Sequence, residues 1–444
     1  MDAKKFWDEK IETMSREALD AYQLKTLKTY LNFAYTHSAY YHNAFNKAKV
    51  KPNDLQLLSD LRKFPFVNKS IERERQLASP ILGDMIAVYE KDIVFISASS
   101  GSSGVPTVSP FTQEDFQEFQ DVESRLFWMV GMRPEDRYLH ALNFSLFVGG
   151  PDVIGAQNLG ALSIWAGTVP SERMLYIMKE FKPTITWTTP SYAWYLGETA
   201  LKQGVDPAKD LSIRKIIVAG EPGGSIPATR KAIEKLWNAE LFDFYGISDI
   251  FGACAGMCEQ KDGLHLAEDH ILLEVLDPVT LEPVSDGERG EMVLTTLKKR
   301  ARPMIRFRTG DIITANRQPC ACGRTHVRIK VHGRLDDMFI VSGVNVFPSD
   351  IEFVIRSNPG LTGEYRITLL TEDNLTKFLI EAERHPGALE SDEVITGSVE
   401  RVIKTRLGVR PKSVILHGQG VLPRETHKAK RLIDLRKKPE SYQI

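Results

Sequence analysis

The spacing of apolar positions changes along the chain. Over the first 45 residues Leu27, Tyr30, Leu31 and Ala34 recur at helical spacing with lysines between them, the stripe an amphipathic helix turns to a core. From about residue 90 to 330, short apolar runs alternate with amphipathic stretches. RKIIVAGEP (214–222) and ITWTTPSY (185–192) predict strands entering turns, and MLYIMKEF (174–181) has the helix period. Alternation of this kind predicts an α/β architecture, with sheets covered by helices. Near residue 333 the texture shifts. DDMFIVSGVNVFPSDIEFVIRSN predicts strand, turn and helix, with Ser349 and Glu352 in a capping-box pattern. YRITLLT and KFLIEAE alternate as half-exposed strands, SDEVITGSVERVIKTRLG predicts a helix and SVILHG a further strand. The chain therefore divides into residues 1–334 and a small α+β domain over 335–444.

Composition narrows the options. With 444 residues the chain exceeds one compact core. A formal net charge of -1 gives no general pull toward nucleic acid or a membrane surface. The opening MDAKKFWDEKIETMSRE is charged throughout, unlike a secretory signal, so the expected location is cytoplasmic. Val153 to Ser171 is uncharged and long enough to span a bilayer, but its three glycines, Asn158, Gln157, Ser163 and Thr168 mark a buried glycine-rich segment. The cysteines at 254, 258, 320 and 322 read as thiols or metal ligands more than disulfides.

The run SASSGSSGVPTVSPFT (97–112) has the composition of a flexible linker, and equally of a loop whose backbone N–H groups and hydroxyls surround phosphate. It carries neither the lysine of a P-loop nor a G-x-G-x-x-G. GISDI lacks the last glycine of a hydrolase nucleophile elbow, and no H-E-x-x-H occurs.

Six segments together go further than that loop alone. ASSGSSGVPT (98–107), AGEPGG (219–224), FYGISD (244–249), RFRTGD (306–311), GRLDDMFIVSGVNVFPSDIE (333–352) and LPRETHKAKR (422–431) stand in one order. In that order they resemble the phosphate loop, adenine segment, aromatic-Gly motif, ribose-aspartate motif, hinge and catalytic-lysine motif of adenylate-forming enzymes. FWDEKIETMSRE, KPTITWTTPSY (182–192), DGLHLAEDH (262–270) and GVNVFPSDIE (343–352) are similar to the phenylacetate–CoA ligase branch. The resemblance implies a large N-terminal domain of layered mixed sheets and helices, a small mobile C-terminal lid and a site in the cleft between them. It also implies a homodimer.

The implied activity is an ATP-dependent, AMP-forming carboxylic acid–CoA ligase. The acid's carboxylate attacks the α-phosphate of ATP, and the thiol of coenzyme A then attacks the acyl-AMP carbonyl. The resemblance implies these roles. Lys428 bridges carboxylate and α-phosphate, with His427 where the family usually has Gly. Asp249 stands in for the usual Glu and holds Mg²⁺ through oxygen. Ser99, Ser100, Gly101, Ser102, Ser103 and Gly104 wrap the phosphates, with Val105 where many relatives have lysine. Gly220, Glu221, Pro222, Tyr245, Gly246 and Ser248 border the adenine. Asp311 takes the ribose hydroxyls, with Phe307 in place of a frequent Tyr, and Arg334 lies near ribose and phosphates. Asp336 is the hinge. HALNFSLFVGG (140–150) matches the acyl-pocket wall, through Leu142, Phe144 and Phe147, with Trp165, Ala166 and Gly167 as another wall. Aromatic walls suit an aromatic acid such as phenylacetate or a benzoate-type acid, or a small apolar one. The alternatives are a small hydroxy acid, or an amine or carrier-protein thiol as acceptor. Apart from this machinery, Cys258, His265, Cys320 and Cys322 offer three thiols and an imidazole suited to tetrahedral, structural Zn²⁺, with Cys254 and His326 as reserve ligands.

Overall fold

A computed structural model describes residues 4–79, 81–99, 106–144, 151–372, 375–423 and 431–436. Along the N-terminal part the strands are β1 (Val67–Asn68), β2 (Ile93–Ala98), β3 (Val108–Thr112), β4 (Arg137–His140), β5 (Leu162–Trp165), β6 (Ile185–Thr188) and β7 (Lys215–Val218). They continue with β8 (Glu240–Ile247), β9 (Gly252–Met257), β10 (Leu264–Leu266), β11 (Ile271–Leu276), β12 (Gly290–Thr296), β13 (Phe307–Asn316) and β14 (Arg328–Arg334). The C-terminal part holds β15 (Phe339–Val341), β16 (Val344–Val346), β17 (Leu361–Glu372), β18 (Leu375–Arg384), β19 (Ser413–His417) and β20 (Leu432–Asp434).

The main sheet runs β11-β12-β13-β14-β10-β9-β8-β7-β6-β4-β5. Its half from β5 to β8 is parallel and the rest antiparallel. Parallel strands need covering on both faces, and β6 is buried at all four positions and β7 at Ile216, Ile217 and Val218. One face packs against the helix Gln113–Met129, and Phe127 on that helix touches Tyr138, Trp187 and Phe244. The other face packs Leu139, Ile216 and Val218 against Met174, Met178 and Leu196, on the helices Ser171–Phe181 and Pro190–Lys202. The helix Arg16–His37 buries the stripe Leu27, Tyr30, Leu31 and Ala34 in the first core, as its spacing predicts.

A separate core gathers Phe339, Ile351, Ile367, Phe378, Ile380 and Val399 around the sheet β19-β18-β17-β20. The expected capping box at Ser349 and Glu352 does not form. Phe347 takes the N-cap with Pro348 in the first turn, Ser349 Oγ donates to the His332 carbonyl, and Glu352 pairs with Arg356 at 2.8 Å. Proline's fixed φ starts the helix two residues earlier than the pattern suggests. The Val153–Ser171 window becomes the helix Pro151–Leu159 and the edge strand β5. Val153, Ala156, Leu159 and Ala161 are buried as expected, but Leu162 and Trp165 are exposed because β5 ends the sheet. Among the described residues no helix is long and apolar enough to cross a membrane.

Candidate functional site

The C-terminal ends of the parallel strands deliver residues to one rim, the usual place for a ligand in such a sheet. Tyr245 near the end of β8 donates its hydroxyl to Asp311 Oδ2 at 2.5 Å. Asp311 on β13 stands opposite Arg334 on β14, whose guanidinium donates to Asp311 Oδ1 at 3.1 Å and to Asp336 Oδ2 at 3.0 Å. Burial, then the Asp311 charge, pushes the Tyr245 phenol well above its ordinary value, so it stays a hydrogen-bond donor. Gly246 permits a close approach: a Cβ there would lie 2.3 Å from the Gly252 carbonyl oxygen. Gly220 turns the chain at φ 92° after β7, and Glu221 Oε1 accepts from the Ser191 N–H at 2.8 Å. Pro222 follows in the same turn.

Asp249 is 5% exposed, and the sequence reading missed its surroundings. Lys69 Nζ donates to both of its oxygens at 2.6 Å, and Thr107 Oγ1 to Oδ1 at 3.2 Å. Arg302 Nη2 lies 3.8 Å away and makes a closer ion pair with the buried Glu72. Burial works against the Asp249 charge, but Lys69 and Arg302 outweigh it and hold the carboxyl below its ordinary value. Glu72 is pushed up to about 7 by burial, with Arg302 resisting. Lys299, fully buried, is pushed down to about 7 by burial and by Arg302. Its ammonium donates to Ser109 Oγ at 2.5 Å and to the Asp249 carbonyl at 3.2 Å. Beside this cluster, Ser97 Oγ donates to the Ser248 carbonyl at 3.5 Å. Ser99 Oγ accepts from the Thr107 N–H at 3.1 Å.

Ser100, Gly101, Ser102, Ser103, Gly104, Val105, Phe147, His427 and Lys428 lie outside the described residues. Just beyond Lys428, Arg431 reaches the N-terminal part, donating to Ser191 Oγ at 3.4 Å while paired with Glu364 at 2.8 Å. At the far end of the rim the Phe144 ring lies 4.3 Å from the His140 ring and 6.2 Å from Trp165. Gly167, at φ 64°, is required here, because a Cβ would meet Phe144 at 2.8 Å. Leu142 packs on the first core and Ala166 on the second.

Cys258, His265, Cys320 and Cys322 are all buried, with donor atoms within 4.8 Å of one another. Cys258 and Cys320 sulfurs are 3.8 Å apart, and Cys322 Sγ is 3.5 Å from His265 Nε2. Thiolates at tetrahedral angles about zinc stand roughly 3.7 Å apart, so the spacing fits that ion. The His265 Nδ1 lies 3.1 Å from the His326 carbonyl, an arrangement that aims Nε2 at the sulfurs. Hydrogen bonding from Cys258, with help from His265, holds the Cys322 thiol far below its ordinary value. Cys254 and His326 stand outside the cluster. Cys254 is buried on β9, and His326 faces the carbonyls of Leu266 and Ile11.

Lys69, Glu72, Lys299 and Arg302 carry no motif. Lys69 opens the helix Lys69–Ala78, capped by Asn68 Oδ1, which accepts from the Ile71 N–H at 2.9 Å. The one available signal was a strand-length apolar pair followed by an Asn cap, which places the next residue at a helix start.

Residues 18–296 match the AMP-binding enzyme family, and residues 343–436 match the AMP-binding enzyme C-terminal domain. The chain is 34% identical to a phenylacetate–coenzyme A ligase of Thermus thermophilus, over 96% of this chain and 99% of the relative. It is 35% identical to one from Pseudomonas putida, over 98% of each. Among solved structures it resembles a 2-hydroxyisobutyryl-CoA ligase bound to 2-HIB-AMP in the postadenylation state. The TM-score is 0.92 at 30% identity, covering 98% of this chain and 93% of that one. Against the same ligase in the thioesterification state, with 2-HIB-AMP and CoA, the TM-score is 0.74 at 30% identity, covering 98% and 94%.

Proposed function

This chain belongs to the AMP-binding enzymes, in the branch of the phenylacetate–coenzyme A ligases, and on that premise we propose that its acid is aromatic. It is an AMP-forming acid–CoA ligase that works through an acyl-AMP. The observation that carries the aromatic reading is the Phe144 ring, tilted toward Trp165 at 6.2 Å at the end of the parallel strands, with Gly167 kept free of a side chain beneath it. A small hydroxy acid is the second reading, favoured by the likeness to the 2-hydroxyisobutyryl-CoA ligase.

In this reading Asp311 accepts from the ribose hydroxyls with Arg334 beside the ribose and phosphates, Tyr245 lies against the adenine beside Gly246, and Glu221 and Pro222 edge the base. Ser99 begins the phosphate-binding loop. Lys428 steadies the carboxylate oxygen as it attacks the α-phosphate and pyrophosphate departs. The coenzyme A sulfur then adds to the acyl carbonyl, AMP leaves, and Asp336 is the pivot between the two halves of the reaction. Positioning and charge stabilisation supply the rate enhancement, because both transition states are densely anionic. Mg²⁺ neutralises phosphate charge in such reactions, and Asp249 would hold it once Lys69 gives up at least one carboxylate oxygen. Zinc at Cys258, His265, Cys320 and Cys322 would have four protein ligands and a structural role. The location is cytoplasmic and the assembly a homodimer.

The test is pyrophosphate release from ATP and Mg²⁺ against a panel of carboxylic acids, with and without coenzyme A. Release that needs an aromatic acid and rises with coenzyme A supports the proposal. Release indifferent to coenzyme A moves the acceptor to an amine or carrier thiol. Lys428→Ala should abolish acyl-AMP formation while ATP still binds, and equal turnover in that variant would refute its role.

A further inference from the structure

Two buried polar atoms beside the acyl wall have no hydrogen-bond partner among the described residues: His140 Nε2 and Trp187 Nε1. Both side chains are almost fully buried, His140 at 0% and Trp187 at 3% exposure. They sit on adjacent parallel strands in direct register, His140 ending β4 and Trp187 on β6. Alternation along each strand puts them on the same face, because Tyr138 two residues earlier and Ile185 opposite it pack in the first core with Trp187. Neighbouring strands are about 4.8 Å apart, so the two rings are side by side. Trp165 on β5 is the register partner on the other side of His140, and Phe144 covers the His140 ring.

The histidine is oriented. Its Nδ1 lies 2.8 Å from Asp152 Oδ2, an oxygen that also accepts from the Tyr138 hydroxyl. The carboxylate accepts a hydrogen bond from Nδ1–H, and a neutral ring protonated there has its lone pair, and so its acceptor, at Nε2. Trp187 Nε1–H can only donate. Its ring is fixed edge-to-face against Phe127 and Phe244, at 5.7 and 5.3 Å. An acceptor and a donor, both desolvated and both unsatisfied, are costly in an apolar wall unless a ligand completes them. A hydroxyl both donates and accepts, so one such group can serve both atoms. A hydrocarbon ring edge can serve neither.

Resting on the ligase reading above, we infer that the acid this enzyme activates carries a hydroxyl group, held between His140 Nε2 and Trp187 Nε1. His140 and Trp187 are specificity-determining residues for that hydroxyl, and Asp152 is a positioning residue acting through His140. The hydroxyl belongs to the acyl part of the substrate, because Phe144 and Trp165 flank His140.

The experiment measures kcat/KM for AMP formation with ATP, Mg²⁺ and coenzyme A, using acids paired with their deoxy parents. Ring hydroxylation is probed by 2-, 3- and 4-hydroxyphenylacetate against phenylacetate, hydroxylation next to the carboxyl by mandelate against phenylacetate, and an aliphatic hydroxyl by lactate against propionate. The full-length protein should favour one hydroxylated member by about 100-fold or more, since a site built to bond a hydroxyl rejects the analogue lacking it. The arm showing the preference locates the hydroxyl. Trp187→Phe and His140→Leu should each lower that ratio by about tenfold or more, and His140→Gln, which keeps an acceptor, should restore part of it. The ratio is read within one protein, so a change in folded fraction does not move it. Turnover with every hydroxylated acid equal to or below its parent would overturn the inference and leave the ligase reading standing. No AMP formation with any acid, in a protein that binds ATP, would overturn both.

Discussion

Glu72 offers a sharp test of the charge cluster under the site. Its carboxyl is buried against Arg302, with Lys69 at 3.3 Å and Asp249 in the same cluster. Burial, with a further push from Asp249, raises it from 4.5 to about 7. A raised carboxyl holds its proton in the folded chain after the unfolded chain has released it. The stability this proton contributes is complete below about pH 4.5 and is lost as pH climbs through about 7. A gap of that size is worth about 3 kcal/mol. Glu72→Gln keeps the shape and cannot ionise, so it removes this slope while adding a constant offset from the altered contact with Arg302. Urea unfolding followed by tryptophan fluorescence, on parent and variant from pH 5 to pH 8.5, isolates the slope as the difference between the two curves. The variant should gain about 2 to 3 kcal/mol on the parent across that range, because a little of that stability is already lost at pH 5. A difference that is flat with pH, or that moves in the parent's favour as pH rises, would refute the reasoning.

Asp311→Asn should weaken ATP binding about 10- to 100-fold in an equilibrium titration, because it removes the charged acceptor of Tyr245 and Arg334; a change within about twofold would reject the ribose role. Metal analysis of untagged protein should return about one zinc per chain, and Cys320→Ser should lose it together with a fall in the urea midpoint. Cys254→Ser, which alters a thiol outside the cluster, should leave the metal content unchanged, and zinc well below one per chain in the parent would dismiss the site. Gly246→Ala should destabilise the protein by about 3 kcal/mol, since its methyl would be forced against the Gly252 backbone; an unchanged urea midpoint would contradict that geometry.

Elements were legible where one face is buried with a clean period, as along Leu27 to Ala34, and where a short run bounded by turn residues is buried on both faces, as from Ile185 to Thr188. Motif order also marked Tyr245, Asp311 and Arg334, which the fold brings together although 66 residues separate the first two. What sequence could not yield is contact between residues whose neighbours look ordinary. Lys69 reads as a surface lysine opening a charged helix, and Lys299 as the middle of a basic triplet. Their partners are set by strand pairing across distances of 180 and 190 residues. The His140–Asp152 pair was hidden for a related reason: histidine at a strand end and aspartate at a helix start are both ordinary until the sheet places them 2.8 Å apart.

Strand β1 consists of Val67 and Asn68, paired in parallel with Phe307 and Arg308. This pairing is immediately followed by the helix that begins with Lys69. Those two residues therefore set the phase of everything after them. An added or missing residue just before Val67 would shift the helix by about 3.3 Å along β13 and present its neighbour in place of Lys69. During divergence, the exposed positions between Lys51 and Phe66 can exchange side chains while Leu55, Leu61 and Phe64 stay in the core, yet an insertion or deletion close to the end of that stretch would uncouple the amine from Asp249. Length conservation, more than residue conservation, is the trace this contact should leave in a lineage.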